Sequence, residues 1–139
     1  MDWIYEDKKF ILSDYPSCFG FIYLIEYSND KKYIGKRHCF KEVTLPRNKN
    51  RKKKEVFLRE DVSYRRYSGS HKTAKGLKVV KKSILALANT KRSLTYLEVK
   101  CLMEVDAIFN SKFLNENIGG KYFDNVLDDL KKPLRKEYR

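Results

Sequence analysis

A strand–turn–strand pattern near the N-terminus constrains the fold of this chain more than any other feature. Residues 19–27 read Phe-Gly-Phe-Ile-Tyr-Leu-Ile-Glu-Tyr, a β-branched and aromatic run that is typical of a largely buried strand. Residues 28–31 are Ser-Asn-Asp-Lys, a turn-forming sequence, and residues 32–38 resume as a second strand. We therefore predict an antiparallel hairpin over residues 19–38.

Two further segments have the pattern of strands. Residues 3–5 and 10–12 are apolar and flank a charged turn, which predicts a small hairpin within an N-terminal extension, residues 1–18. Residues 78–89 are rich in Val, Ile, Leu and Ala, and a helix or a strand fits the pattern. We favour a strand over most of that segment.

A helix is predicted from Thr90 or Ser93 to about Phe109, because apolar residues recur there at helical spacing. At 100° per residue, Glu98 lies within the apolar stripe, about 40° from Leu94. A buried, unpaired carboxylate is costly. Glu98 therefore needs a compensating partner, which a cation, a hydrogen-bond network or a metal ion can supply.

The composition favours an anionic partner and argues against a membrane protein. Lys and Arg total 31 against 18 Asp and Glu, a net charge of +13, so nucleic acid is the first candidate partner and a membrane surface the second. No apolar run approaches the roughly 20 residues of a membrane span, and the first residues lack a signal-peptide pattern. Three cysteines without a CxxC motif fit free thiols in the cytoplasm.

Residues 41–66 differ from the rest and are predicted as a basic loop insertion. Residues 46–54 hold six cations and no acid, which suits contact with a phosphate backbone, although a solvated and mobile loop is the alternative. The candidate phosphate contacts are Arg47, Lys49, Arg51, Lys52, Lys53 and Lys54, together with Lys72, Lys75, Lys78, Lys81 and Lys82. Residues 121–139 are predicted as a C-terminal basic tail.

Two short motifs in the hairpin, residues 21–23 (Phe-Ile-Tyr) and residues 33–35 (Tyr-Ile-Gly), resemble the signature of the GIY-YIG nuclease family. Phe21 replaces the first glycine of the signature. Further matches follow the order found in small, free-standing, phage-encoded members of homing type: residues 3–5, 46–54, 67–70 and 96–98, and Asn115. The resemblance spans about residues 3–120.

The resemblance implies an α+β (α/β) fold in which helices flank a small three-stranded antiparallel sheet, with the nuclease domain at residues 19–120. It implies hydrolysis of phosphodiester bonds in double-stranded DNA with one divalent metal ion, Mg²⁺ or Mn²⁺. The metal ligand in the family is a Glu on the helix after the third strand, which is the position of Glu98. A single carboxylate suits Mg²⁺, which keeps several waters and binds phosphate oxygens.

Tyr23 and Tyr33 correspond to the motif tyrosines, which position the attacking water and the scissile phosphate, and one of them could accept the water's proton. For both to face one site, the hairpin loop must have an odd number of residues, since strand side chains alternate. We predict a three-residue loop, residues 29–31, or an equivalent bulge. Tyr23, Tyr33, Gly35 and Arg37 then share a face.

The resemblance also implies an arginine that stabilises charge on the phosphate. Arg37 is the first candidate, followed by Arg65 and Arg66. Tyr67 is a candidate third tyrosine, and His71 is a candidate general base, with His38 ranked below it.

Three further positions are candidate DNA contacts. Lys36 would contact a phosphate, and Gly35 would let a phosphate or a backbone approach closely. Asn115 matches a late Asn of the family, and we expect it to act as a buttress rather than as a reactant. Asn117 replaces it if the register is displaced by two.

Two other functions remain open from the sequence. One is a catalytically inactive nucleic-acid-binding module of the same fold. The other is a structural or inhibitory phage protein whose charge serves a protein partner. A homo-oligomer is compatible with either.

Overall fold

The computed structural model describes residues 1–69 and 74–123. Nine strands and one α-helix occur in these residues, and three short 3-10 turns lie between them. The elements are β1 (Ile4–Tyr5), β2 (Lys8–Lys9), β3 (Gly20–Tyr27), β4 (Lys32–His38), β5 (Phe40–Leu45), β6 (Glu55–Glu60), β7 (Val79–Ala88), α1 (Lys91–Glu104), β8 (Asn117–Ile118) and β9 (Tyr122–Phe123). His71, Lys72 and nearly all of the predicted basic tail lie outside the described residues.

The main sheet has five strands in the order β2-β1-β7-β3-β4. Three of these strands, β7-β3-β4, form an antiparallel set that ends at the β4 edge and is the predicted three-stranded sheet. The prediction of only three strands was wrong, because the N-terminal hairpin β1–β2 joins the sheet through a parallel pairing of Ile4 with Ser83. The expectation of several flanking helices was also wrong, since α1 is the one α-helix in the described ranges.

The β3–β4 hairpin confirms an odd-length loop. The N–H of Tyr27 donates to the carbonyl of Lys31 over 2.9 Å, so the loop is Ser28–Asp30, one residue earlier than predicted. Asp30 takes the left-handed conformation, with φ of 64°, as the last residue of a common three-residue hairpin loop does. Tyr23 lies opposite Gly35 in this register.

The sheet has an apolar core on each face, so β3 is buried on both sides. Phe21, Tyr23 and Ile25 face a core that includes Trp3, Phe10 and Tyr64. Ile22 faces the other core, which Leu94 and Leu102 of α1 help to form. This double burial explains why β3 reads as a nearly continuous apolar run.

The strand predicted at residues 78–89 is confirmed as β7, and α1 begins as predicted. The Thr90 hydroxyl accepts the N–H of Ser93 over 3.0 Å, which is an N-cap. The helix ends at Glu104, short of the predicted end, because Asp106 takes a left-handed conformation with φ of 51°. A 3-10 turn, Ala107–Phe109, continues the buried face and accounts for the longer apolar pattern.

The prediction of a loop over all of residues 41–66 was wrong. Strands β5 and β6 pair in register from Phe40 with Glu60 to Leu45 with Glu55, and only the tip, residues 46–54, remains a connection. Every residue of β6 is exposed, so its sequence carries no burial pattern. In the part of the chain that the structure describes, no helix is long and apolar enough to cross a bilayer. The three cysteines are free thiols.

Candidate active site

Three tyrosines form a cluster on one face of the sheet. The ring of Tyr23 lies 6.3 Å from that of Tyr33 and 5.7 Å from that of Tyr67, between centroids. The hydroxyl groups of Tyr23 and Tyr67 lie 3.3 Å apart and form a hydrogen bond. Trp3 packs behind Tyr23 at 5.3 Å. The structure thus brings Tyr67 to the two motif tyrosines, and the N-terminal segment supports them.

Gly35 makes room for the phenol of Tyr23. The two residues are opposite each other in the β3–β4 register. A Cβ atom at position 35 would collide with the hydroxyl and ring of Tyr23. The close neighbour of Gly35 is therefore a side chain of the same protein, which accounts for the glycine without a DNA contact.

The free edge of β4 is closed by polar groups from two other segments. The Asn115 side chain accepts the N–H of Ile34 over 3.1 Å and donates to the carbonyl of Ile34 over 2.8 Å. The N–H of Lys36, further along the same edge, donates to the carboxylate of Glu98. Asn115 is buried with both amide groups occupied, so the structure favours the buttressing role over a DNA contact.

Glu98 belongs to α1 and is half-buried where the helix faces this edge of β4. Burial raises the pKa of its carboxyl group, and the charge and N–H of Lys36 oppose the rise. A cavity of about 190 Å³ opens beside it, lined in part by Tyr33, Lys36, Asn115 and Glu116. The carboxylate is also within electrostatic range of both motif phenols. The site is therefore a pocket shared by the hairpin, the helix and the segment before β8.

Both motif tyrosines are neutral phenols at neutral pH. Burial raises the pKa of Tyr33 to about 12, and Tyr67 and Glu98 add to the rise. Burial and the hydrogen bond with Tyr67 raise the pKa of Tyr23 further above its ordinary value. A neutral phenol donates and accepts hydrogen bonds but is a weak base, so the geometry favours positioning over proton abstraction.

Arg37 lies beside the tyrosine cluster. Its guanidinium carbon is 4.6 Å from the centre of the Tyr67 ring, a cation–π contact. Nη2 donates to the Ser63 hydroxyl and lies 3.9 Å from an Asp61 carboxylate oxygen. Its Nε is buried without a hydrogen-bond partner in the described residues. Of the three candidate arginines, Arg37 is the one in contact with the cluster.

The structure does not bring Arg65 or Arg66 to the cluster. Arg65 is exposed, lies 3.7 Å from Glu60, and lines a separate cavity with Asp2 and Lys9. Arg66 is also exposed. The cavity of Arg65 includes neither motif tyrosine nor Glu98.

Asp61 is a site-adjacent residue that the sequence reasoning missed. Its carboxylate accepts the N–H and hydroxyl of Ser63 over 3.1 and 2.6 Å, and lies 3.2 Å from Nε2 of His38. These Ser63 bonds, with smaller effects of His38 and Arg37, lower the pKa of Asp61 to about 2. The sequence signal was an Asp capping the 3-10 turn Val62–Arg65.

The predicted phosphate contacts differ in their surroundings. Lys52, Lys53 and Lys54 are exposed at the tip between β5 and β6. Arg51 is instead engaged by the Pro46 carbonyl at 2.7 Å and by Glu55 at 3.8 Å.

The prediction that Lys82 contacts phosphates was wrong. Its side chain is 1% exposed and its ammonium lies 4.3 Å from the centre of the Trp3 ring. Burial lowers the pKa of this lysine.

The donor set fits a magnesium site with one protein carboxylate. Residues 1–69 and 74–123 contain no group of three or more His, Cys, Asp or Glu side chains able to hold a metal ion. Mg²⁺ is commonly bound by one or two carboxylates and completes its shell with water and phosphate oxygens. Glu98 meets that requirement, because it lies beside an open cavity and the charge of Lys36 only partly offsets the effect of burial on its carboxylate.

The α+β fold thus brings together paired strand tyrosines, a facing glycine and a helix glutamate at one sheet edge. The family model described as "Putative endonuclease segE, GIY-YIG domain" matches residues 3–118. The chain belongs to the GIY-YIG endonuclease family, as the sequence motifs predicted. No curated protein and no solved structure gives a significant match.

Proposed function

We propose that this protein is a metal-dependent endodeoxyribonuclease that hydrolyses phosphodiester bonds in double-stranded DNA. The observation that carries the proposal is the position of Glu98 at the edge of β4, beside Tyr33 and within electrostatic range of Tyr23. Family membership supports nuclease activity in general. The double-stranded substrate and the metal ion are inferred from the family resemblance, and the residue roles are inferred from that resemblance together with the pocket.

Substrate binding would use the cations of β4. The ammonium of Lys36 lies 3.1 Å from the Thr95 hydroxyl on α1, at the mouth of the Glu98 cavity. A phosphate group at the Glu98 cavity would meet the positive charge of Lys36 and the neutral phenol of Tyr33, both of which line it. Arg37 would add a second positive charge from beside the tyrosine cluster.

Catalysis would divide among these residues. Tyr33 would orient the attacking water and the scissile phosphate, and Tyr23, which is 2% exposed, would hold Tyr33 and Tyr67 in position from behind. Arg37 stabilises the negative charge that develops on the phosphoryl oxygens. Glu98 would hold a Mg²⁺ or Mn²⁺ ion, which supplies Lewis acidity and neutralises the leaving oxygen when it is bound.

A plasmid-cleavage assay tests the proposal with a matched pair of glutamates on α1. Glu98→Gln removes the half-buried carboxylate, and Glu104→Gln removes an exposed one from the same helix. With Mg²⁺, we expect Glu98→Gln to lose at least about 100-fold in rate while retaining DNA binding, and Glu104→Gln to cleave like wild type.

Absence of cleavage by the wild-type protein, with DNA binding intact, would instead support the inactive binding module. Cleavage by Glu98→Gln at the wild-type rate would show that Glu98 is not the metal ligand. A protein that cleaves nothing and does not bind DNA would support the rival reading of a structural or inhibitory protein.

The biological setting is a further part of the proposal. The order of motifs resembles small phage-encoded members, so we infer a free-standing homing enzyme that acts on DNA in the cytoplasm of a host cell. Sequencing of the ends left on host and phage genomes, with Mg²⁺ and with EDTA, tests it. Ends at one or a few sites fit homing, whereas ends throughout the host genome fit degradation or restriction.

A further inference from the structure

Strands β5 and β6 form a two-stranded ribbon that is separate from the main sheet. In the described residues, each pairs only with the other, over six register pairs. Six residues per strand give the ribbon a length of about 20 Å, at roughly 3.4 Å per residue. A free two-stranded ribbon is marginally stable in water, so this one depends on its attachment to the main fold.

The base of the ribbon is fixed next to the candidate active site. Cys39, which connects β4 to β5, is fully buried. Its N–H donates to the Phe19 carbonyl over 2.7 Å, and its carbonyl accepts the N–H of Asp61 over 2.8 Å. Both ends of the ribbon are therefore held at the end of β4, close to Arg37.

The positive charge of the ribbon is concentrated at its tip, where residues 46–54 hold six cations and no acid, whereas β5 and β6 together hold two cations and three acids. Lys41 and Arg59 are directly opposite each other, and such like-charged pairs destabilise a ribbon unless an anion lies between them. Lys52, Lys53 and Lys54 are exposed at the tip. A cavity of about 380 Å³ at the base, between the ribbon and the start of α1, is lined by Lys36, Arg37, Lys41 and Lys91 among others.

One face of the ribbon combines these charges with apolar groups. Strand side chains alternate, so the pair Val43–Phe57 shares a face with Lys41–Arg59 at the base and with Leu45–Glu55 near the tip, where Arg51 lies 3.8 Å from Glu55. Phe57 is 44% exposed, and Val43 opposite it is half-buried. Basic side chains that donate to guanine edges and apolar ones that contact thymine methyl groups are the combination that reads bases in DNA.

The dimensions select one groove of the duplex. The major groove of B-DNA is about 12 Å wide and admits a two-stranded ribbon, whereas the minor groove, about 6 Å wide, does not. We propose that the β5–β6 ribbon enters the DNA major groove, with Lys41, Val43, Phe57 and Arg59 facing the base edges and the tip lysines on phosphates. This inference rests on the proposed function, because it assigns that site its sequence-reading arm.

Two sets of variants of the full chain test the ribbon, with binding measured in EDTA so that cleavage plays no part. Phe57→Ala with Arg59→Gln changes the proposed reading face, and Val56→Ala with Leu58→Ala changes the opposite face. The readout is protection of guanine N7, a major-groove atom, from dimethyl sulfate. The DNA is a duplex that contains a site cleaved by the protein or a site selected for binding. We expect wild type and the opposite-face variant to protect the same guanines, and the reading-face variant to lose that protection.

The tip is tested by salt titration of duplex binding. Replacement of Lys52, Lys53 and Lys54 by Gln is expected to reduce the slope of log K against log salt by about 2 to 3, at roughly 0.9 per lost phosphate contact. The matched control replaces Lys8, Lys9 and Lys100, which are exposed elsewhere, by Gln. We expect the control to keep most of the wild-type salt slope.

Unchanged guanine protection in the reading-face variant would overturn the proposal. A reading-face variant that binds DNA normally but changes oligomeric state in size-exclusion chromatography with light scattering would assign the ribbon to a subunit contact instead. If the wild-type protein protects guanines but never cleaves DNA with Mg²⁺, the proposed role of the ribbon is supported and the proposed hydrolase activity is contradicted. Circular dichroism of each variant checks that the fold is intact.

Discussion

At the scale of single residues, the pocket depends on a few residues that other amino acids could not replace. Tyr23, Tyr33 and Glu98 could be predicted from the sequence, because the motif spacing and the helical wheel mark them directly. The role of Gly35 could not, because its neighbour is defined by cross-strand register rather than by sequence distance. Asp61 was missed for the same reason, since its partners His38 and Arg37 are on another strand.

Gly35→Ala is expected to lower both stability and activity. The added Cβ collides with the Tyr23 phenol, and forcing an extra methyl group into a packed core costs about 1–3 kcal/mol. Urea denaturation and plasmid cleavage measure the two effects. Tyr23→Phe is the companion variant, which keeps the ring and removes the hydroxyl. It should lose activity with a smaller loss of stability. Wild-type behaviour of Gly35→Ala would contradict the observed packing.

Asp61→Asn is expected to remove an acid-sensitive part of the stability. The pKa of Asp61 is about 2 in the folded protein, below its ordinary value of 3.8, chiefly because of its bonds with Ser63. A lowered carboxyl pKa stabilises the fold above the ordinary value, and this contribution is lost as the pH falls towards 2. The gap in urea midpoint between wild type and Asp61→Asn should therefore narrow from pH 5 to pH 2. A constant gap would contradict the assignment.

At the scale of secondary-structure elements, the sequence predicts the strands and the helix in which buried residues recur at a regular spacing. Strands β3 and β7 and the start of α1 followed from their apolar patterns and from a cap. The ribbon strands escaped prediction because β6 is exposed throughout and its charged neighbours dominate the pattern. The early end of α1 escaped because the following 3-10 turn continues the same buried face.

The edge of β4 gives a prediction at this scale. Asn115→Ala would leave the buried N–H and carbonyl of Ile34 without partners, at a cost of roughly 2–3 kcal/mol. Asn117→Ala removes a bond to the N–H of Gly120 at an exposed position and should cost less. Chemical denaturation ranks the two. An equal or larger loss for Asn117→Ala would show that the clamp on β4 is not Asn115.

At the scale of the whole molecule, the fold places an open pocket, two adjacent cations and the β5–β6 ribbon along one strand, β4. β4 contributes Tyr33, Gly35, Lys36 and Arg37 within seven residues, and its ends lead to the loop and to the ribbon. The net charge of +13 predicted an anionic partner, but its arrangement depends on pairings far apart in sequence. The sequence therefore predicted which side chains meet in the pocket better than it predicted the shape of the surface around it.

The most direct test of the central claim, that Glu98 holds a divalent ion beside the two tyrosines, is a Mn²⁺ titration followed by electron paramagnetic resonance in the presence of duplex DNA. Wild type and Glu104→Gln should each bind one ion per chain, and Glu98→Gln should lose that binding while still binding the duplex. Equal Mn²⁺ binding by wild type and Glu98→Gln would contradict the account.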